Sequence, residues 1–155
     1  MLVRSAAAEE NAAALCALTI AAVLHEIGLF VPDRGHFVVR GARWTAIHLD
    51  EILAQPSREE RQLIGDLMLF HRHRGPLPGA VVQPELVNLF RQVERWERQG
   101  GSPPPGLQAG ELEAARTEHP AGTEFPAALK HLERAERLRH PVLSGRIHRI
   151  RRPDR

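Results

Sequence analysis

Three residues at two separate places in the sequence have the chemistry needed to bind a divalent cation. His25 and Glu26 are adjacent at the end of an apolar run, and Glu94 lies much later in an amphipathic run. Imidazole nitrogen and carboxylate oxygen hold divalent ions that lower the pKa of a bound water and neutralise charge on a phosphoryl oxygen. The side chains of His25, Glu26 and Glu94 are thus of the types that bind such an ion.

A second histidine cluster, His71-Arg72-His73, stands immediately before Arg74-Gly75-Pro76. Residues i and i+2 of a helix point to different sides, so the two histidines cannot bind one ion together unless the helix ends there, as Gly-Pro indicates. We expect His71 to pack inside and His73 to face water. In the alternative interpretation, His71 is a catalytic proton carrier or an additional ligand.

Two of the candidate ligands also have an ordinary structural explanation. His25 would then be a core histidine with a local hydrogen bond, and Glu94 a helix-surface acid paired with Arg91 or Arg98 for a few tenths of a kcal/mol. The distance between the side chains separates the two interpretations. Convergence of His25, Glu26 and Glu94 on a common point would indicate a site.

Hydrophobic periodicity predicts an all-α fold, a compact bundle of about four to five core helices. A chain of 155 residues can bury one ordinary core. Ser57 and Glu60 have the spacing of a capping box, and the position of Pro84 is typical of the first turn of a helix. The predicted core helices span residues 6–27, 42–54, the segment after Ser57, and 84–99. The intervening segment 29–40, which includes Phe37-Val38-Val39, is predicted to be a loop.

The chain divides into four predicted parts. Pro and Gly are concentrated from residue 100 onwards, and Arg dominates the end. The parts are a helical domain (1–99), a Pro/Gly-rich linker or wrap with a short helical piece around 111–116 (100–124), an amphipathic C-terminal helix (125–140) and an Arg-rich tail (141–155). The linker and the C-terminal helix could clasp a protein partner or a second copy of the chain.

Charge is distributed unevenly between the body and the tail. Residues 1–129 carry 12 basic and 16 acidic side chains, whereas residues 130–155 carry 9 basic and 3 acidic ones. The tail could neutralise the phosphates of a polyanion, or it could be a solvated terminus. It has no aromatic side chain on which a base could stack, so specific nucleic-acid recognition is not indicated. The tail arginines considered are Arg146, Arg149, Arg151 and Arg152.

The apolar run from Ala12 to Leu24 is shorter than the roughly 20 residues that a membrane span needs. Glu9 and Glu10 stand where a secretory signal would have positive charge. We therefore expect a cytoplasmic protein without a membrane contact.

Four segments, in order along residues 12–98, resemble the helices of the HD superfamily of metal-dependent phosphohydrolases. The first is AAVLHEIG (21–28), in which Glu26 takes the place of the second residue of the His-Asp pair. TAIHLDEIL (45–53), LIGDLMLFH (63–71) and LFRQVERWER (89–98) follow, and the last places Glu94 where the family has its final metal-binding Asp. The greatest similarity is to the C-terminal helical domain of the exopolyphosphatase and guanosine-pentaphosphate phosphohydrolase family.

The resemblance implies a helical domain that holds a divalent ion through His25, Glu26 and Glu94 and hydrolyses a phosphoester or phosphoanhydride. Both acids are Glu where the family has Asp, and no His precedes His25 to serve as the first ligand. His36, His48 or His71 could replace that ligand only if the fold brings one of them close.

Three hypotheses follow from the resemblance and its departures. The first is a catalytically degenerate HD-like module used in regulation or assembly, as in exopolyphosphatase-like proteins, whose chemistry lies in another domain. The second is an active metal-dependent phosphohydrolase. The third is a plain helical adaptor.

Overall fold

The computed structural model describes residues 2–99, 102–118, 130–132 and 134–135. The described residues form helices joined by loops and contain no strand, which confirms the predicted all-α class. The helices are α1 (Leu2–Leu24), a short 3-10 helix (Ile27–Leu29), α2 (Phe37–Ile52), α3 (Arg58–Phe70), α4 (Pro84–Gln99) and α5 (Ala109–Glu118).

Helix α3 is the centre of the bundle because it contacts α1, α2 and α4. Its buried side chains are at most 2% exposed, and burial of each large aliphatic side chain contributes about 1.5–3 kcal/mol. Ala17 and Ala21 on α1 face it, and such small side chains allow close approach of the two helices. The α3 side chains in this core are Leu63, Ile64, Leu67 and Met68.

The predicted capping box is present at the start of α3. The Ser57 hydroxyl accepts a hydrogen bond from the Glu60 backbone N–H (3.1 Å), and the Glu60 carboxylate accepts one from the Ser57 N–H (2.7 Å). Two backbone donors that would otherwise lack partners are thereby satisfied. Helix α4 likewise begins at Pro84 and ends at Gln99, as the sequence predicts.

The prediction of a loop through Phe37-Val38-Val39 is wrong, because these residues form the first turn of α2. The His36 ring accepts a hydrogen bond from the Val38 N–H (3.4 Å) and caps the helix. Phe37 and Val38 are buried, so tertiary packing overrides the β preference of this short run. Helix α1 also differs from the expected 6–27, since it spans Leu2–Leu24.

A close backbone approach at Gly28 joins the 3-10 helix that follows α1 to the start of α2. A Cβ atom on Gly28 would lie 1.8 Å from the Phe37 carbonyl oxygen and 2.6 Å from the Gly41 nitrogen. Arg40, which is buried, donates to the Gly28 carbonyl from Nε (3.1 Å) and Nη2 (2.7 Å), and to the Gly35 carbonyl from Nη1 (2.7 Å). This junction fixes the turn that carries His25 and Glu26.

One helical window among the described residues, Asn11–Leu29, is long and apolar enough to cross a membrane by length and composition. Its mean hydropathy is 1.9 and only 28% of it is buried, and Leu15 and Val23 are exposed. A signal sequence near the N-terminus and the mostly buried core helix of a soluble protein pass the same test, so the absence of a membrane contact stays a prediction.

The structure describes little of the region beyond residue 99. Helix α5 contains the predicted helical piece 111–116. Residues 130–132 and 134–135 are helical, and the rest of the predicted helix 125–140 and the whole tail 141–155 lie outside the described residues.

Candidate functional site

The three predicted ligands converge. His25 and Glu26 lie in the turn that follows α1, and Glu94 lies on α4. One ligand atom from each residue lies within 4.8 Å of the other two. Glu26 is 7% exposed and Glu94 is 9% exposed, so the carboxylates meet inside the protein rather than at its surface. The fold therefore brings the three side chains together, as the interpretation of a shared metal site requires.

The His25 ring is oriented by a local hydrogen bond. Its Nδ1 lies 2.8 Å from the Ala22 carbonyl oxygen, which can only accept, so Nδ1 carries the proton. The lone pair is then on Nε2, which lies 3.8 Å from the Glu26 carboxylate. Phe90 packs against the ring, edge to face at 6.1 Å. This local bond is the ordinary arrangement expected for His25, and it also suits a ligand.

Two arginines contact the same carboxylates. Arg72 forms an ion pair with Glu26 and lies 3.7 Å from Glu94. Arg98 lies 3.5 Å from Glu26 and 3.3 Å from Glu94. The expected pairing of Glu94 with Arg98 is therefore present, but it is part of a network of two carboxylates and two guanidiniums. The guanidiniums neutralise the two carboxylates in the region where a bound cation would act.

The Arg72 guanidinium is held in place from a second side. It lies 4.7 Å from the centre of the Phe37 ring in a cation–π arrangement, and the Arg72 side chain is 15% exposed. Such a contact contributes about 0.5–2 kcal/mol. Phe37 belongs to the first turn of α2, so the site depends on the helical start that the sequence did not predict.

His71 directly follows the last residue of α3 and lies beside His25. It is 2% exposed, and its ring meets the His25 ring edge to face at 5.4 Å. Nδ1 donates to the Met68 carbonyl oxygen (2.7 Å), which leaves the lone pair on Nε2. Nε2 has no hydrogen-bond partner among the residues that the structure describes.

Burial lowers the pKa of His71 well below its ordinary value. The nearby His25, Arg72 and Arg98 lower it further, and the bond to Met68 opposes them. His71 is therefore a neutral base near pH 7.

The other histidines named as substitutes for the missing ligand are engaged elsewhere. His36 caps α2, and His48 lies 3.1 Å from Glu51 on the same helix. His71 is thus the substitute that the fold brings beside His25. His73, expected to face water, is half-buried, and its Nε2 donates to the Pro76 carbonyl (3.2 Å).

Sequence reasoning missed three contributors to the site. Arg72 stands between two histidines that attracted attention as ligands, although an arginine at that place could have been read as a competing cation. Arg98 was considered only as a partner of Glu94, and Phe37 was assigned to a loop. Their roles arise from contacts between distant segments, which periodicity does not report.

Comparison with known proteins gives no independent assignment. No protein-family model, curated protein or solved structure matches this chain.

Proposed function

We propose that this protein is a catalytically silent, HD-like helical module that serves regulation or assembly. The observation that carries the proposal is the contact of Arg72 and Arg98 with both Glu26 and Glu94, at 3.3–3.7 Å for the three longer pairs. A guanidinium balances the carboxylates as an ion would, but it offers no coordination position to water. The arginines thus supply the positive charge of a metal ion, but they cannot activate a water molecule as the ion would.

One feature of the sequence supports the same proposal. Both acids are Glu, one methylene longer than the Asp of the family that the chain resembles. Catalytic sites tolerate small positional errors poorly. The lengthening of both acidic side chains is what we expect of a fold kept for its shape.

The test of catalytic silence is a hydrolysis assay on the purified full chain. The substrates are p-nitrophenyl phosphate and inorganic polyphosphate, with Mg²⁺, Mn²⁺, Co²⁺ or Zn²⁺ added in turn. We expect the wild-type rate to equal that of His25→Ala under every condition. A metal-dependent rate that disappears in His25→Ala would contradict the proposal.

The role in assembly is tested by size-exclusion chromatography with light scattering. We expect the full chain to have a larger mass than one protomer, or to retain a co-purifying protein, and a chain ending at Gly100 to be monomeric. Identical monomers with no retained protein would count against a role in assembly.

A metal-dependent phosphohydrolase is the second candidate function, favoured by the convergence of His25, Glu26 and Glu94 within 4.8 Å. In such an enzyme His25, Glu26 and Glu94 would hold the ion, and His71 would carry a proton. The hydrolysis assay separates the two candidates, because only this second one predicts a rate that depends on both the metal and His25.

A further inference from the structure

We propose that the outward face of α1 binds the amphipathic segment 125–140 of a second copy of this chain, and that the two copies exchange these segments reciprocally. The outward face consists of the exposed side chains of α1 between residues 11 and 24, namely Asn11, Ala12, Leu15, Thr19, Ala22 and Val23. The proposal rests on the proposed function, because it names the partner and the surface of a module that assembles.

The outward face is apolar although it is open to water. Leu15 is 66% exposed and Val23 is 75% exposed, and residues 11–24 include no charged side chain. The Thr19 hydroxyl donates to the Leu15 carbonyl oxygen (2.8 Å), so this polar group already has its partner within the helix. A helix that is apolar all round is normally buried all round, and the opposite side of α1 already packs on the core. The outward face is therefore a contact surface.

The segment 125–140 has an apolar side that is also open. Phe125, Leu129 and Leu132 recur at helical spacing, and the described residues of the segment are helical. Leu132 is 36% exposed, and Ala135, one turn further on the same side, is exposed as well. The described part of the segment does not cover α1 of its own chain, because the outward face remains exposed. A second copy can therefore supply the segment that α1 lacks.

Charge complementarity favours this occupant over a membrane. Residues 1–129 carry 12 basic and 16 acidic side chains, whereas residues 130–155 carry 9 basic and 3 acidic ones. The C-terminal part of one copy is therefore attracted to the body of another. Glu9 and Glu10 immediately precede the outward face on α1, and the segment 125–140 is rich in Arg. The same acidic body would be repelled by an anionic lipid surface.

The dimensions of the two surfaces suit a reciprocal exchange. The outward face is about 20 Å long, and a helix over 125–140 is about 24 Å long and about 10 Å wide. One docked segment then covers about 240 Å² on each surface, and two symmetric contacts bury about 1,000 Å² in total, which is the area that a specific interface needs. Residues 119–124, which follow α5, span about 20 Å when extended and can cross to a neighbouring copy.

The test is sedimentation equilibrium of the purified full chain over a range of concentrations. We expect the wild type to be a dimer. Leu15→Glu and Leu132→Glu each place a charge in an apolar contact, so each should raise the dissociation constant of the dimer by about 100-fold or more. Ile47→Glu on α2 is the matched control, because Ile47 is also 66% exposed and lies outside the outward face. It adds the same charge and should dimerise as the wild type does.

A mixture of the two monomeric variants distinguishes exchange between copies from docking within one chain. A mixed dimer joins the unchanged α1 of Leu132→Glu to the unchanged segment of Leu15→Glu, so it keeps one of the two contacts. We expect dimers in the mixture at a total concentration at which each variant alone is monomeric.

A dimer that Leu15→Glu leaves intact would overturn the proposal, and so would one that Leu132→Glu leaves intact, which would indicate pairing of α1 with α1. A mixture without dimers would assign the segment to its own chain. If Leu15→Glu does not fold, Thr19→Glu on the same face takes its place.

Two further outcomes assign the outward face to another partner and overturn the proposal. The first is a wild-type monomer that retains a different protein, and the second is binding to phosphatidylcholine vesicles that Leu15→Glu abolishes. A dimer that forms without the outward face leaves the proposed role in assembly standing. A wild-type chain that is monomeric at every concentration and retains no protein would contradict that role as well.

Discussion

The carboxylate of Glu26 and the guanidinium of Arg72, 46 residues apart in the sequence, form an ion pair inside the helical bundle. Their side chains are 9% and 15% exposed. The pair ties the turn after α1 to the turn after α3, and Glu94 and Arg98 extend it to α4. Three elements that meet at one end of the bundle are thus held by charge as well as by apolar packing.

Glu26→Gln should destabilise the protein by about 3 kcal/mol, because breaking a buried pair leaves a buried charge uncompensated. The double variant Glu26→Gln/Arg72→Met should lose less than the sum of the two single changes. Urea unfolding measures the free energy of unfolding of the single and the double variants. Asp50→Asn in the exposed pair with Arg61 is the control and should cost less than about 1 kcal/mol. Equal losses for Glu26→Gln and Asp50→Asn would refute a buried network.

Gly28→Ala should destabilise the fold by about 1–3 kcal/mol or more, since the new Cβ would overlap the Phe37 carbonyl. Gly65→Ala in α3 is the matched control, because nothing lies within 4 Å of its added Cβ. That change should stabilise the protein by about 0.5–1 kcal/mol through helix propensity. Thermal unfolding of both variants measures the difference, and a harmless Gly28→Ala would show that the 3-10 helix and α2 are not in close contact there.

Stability should fall as the pH drops below about 6.5, the ordinary pKa of histidine. The pKa of His71 is lowered in the folded protein by burial, so the unfolded chain takes up this proton first. The stability that neutral His71 contributes is fully present above the pKa that it has in the unfolded chain. It is lost as the pH falls from there to the pKa that His71 has in the folded protein. Urea unfolding between pH 7.5 and 5 should show this slope, and His71→Gln should reduce it. An unchanged slope in that variant would contradict the assignment.

Ser57→Ala should lower the free energy of unfolding by about 1 kcal/mol, whereas Ser57→Gly should lower it by only a few tenths.

The Ser57 contacts also lower the pKa of Glu60 below 4.5, through hydrogen bonds from the backbone and then the side chain. The Glu60 contribution is therefore present above pH 4.5 and lost as the pH falls through the folded pKa. NMR titration of Glu60 in Ser57→Ala should show its pKa moving back towards 4.5. No loss of stability in Ser57→Ala would exclude the hydroxyl as a contributor.

Local signals predicted the elements whose ends are fixed locally. The capping box of Ser57 and Glu60 placed α3, and Pro84 placed the start of α4, because both effects act within one helical turn. The start of α2 was missed because Phe37-Val38-Val39 follows a turn signal and is too short to indicate a regular element when taken alone. Its helical state depends on the His36 cap and on burial against other segments.

The sequence by itself determined that the chain is helical, because periodicity carries that information directly. It also grouped His25, Glu26 and Glu94 as candidate ligands, through the resemblance of four segments to a known family. Only the tertiary structure decided that Arg72 and Arg98 contact the two acids, with Phe37 under Arg72 and His71 beside His25. Those contacts join residues from four separate segments, and a distance between segments is fixed by how the helices pack rather than by the identity of any one residue.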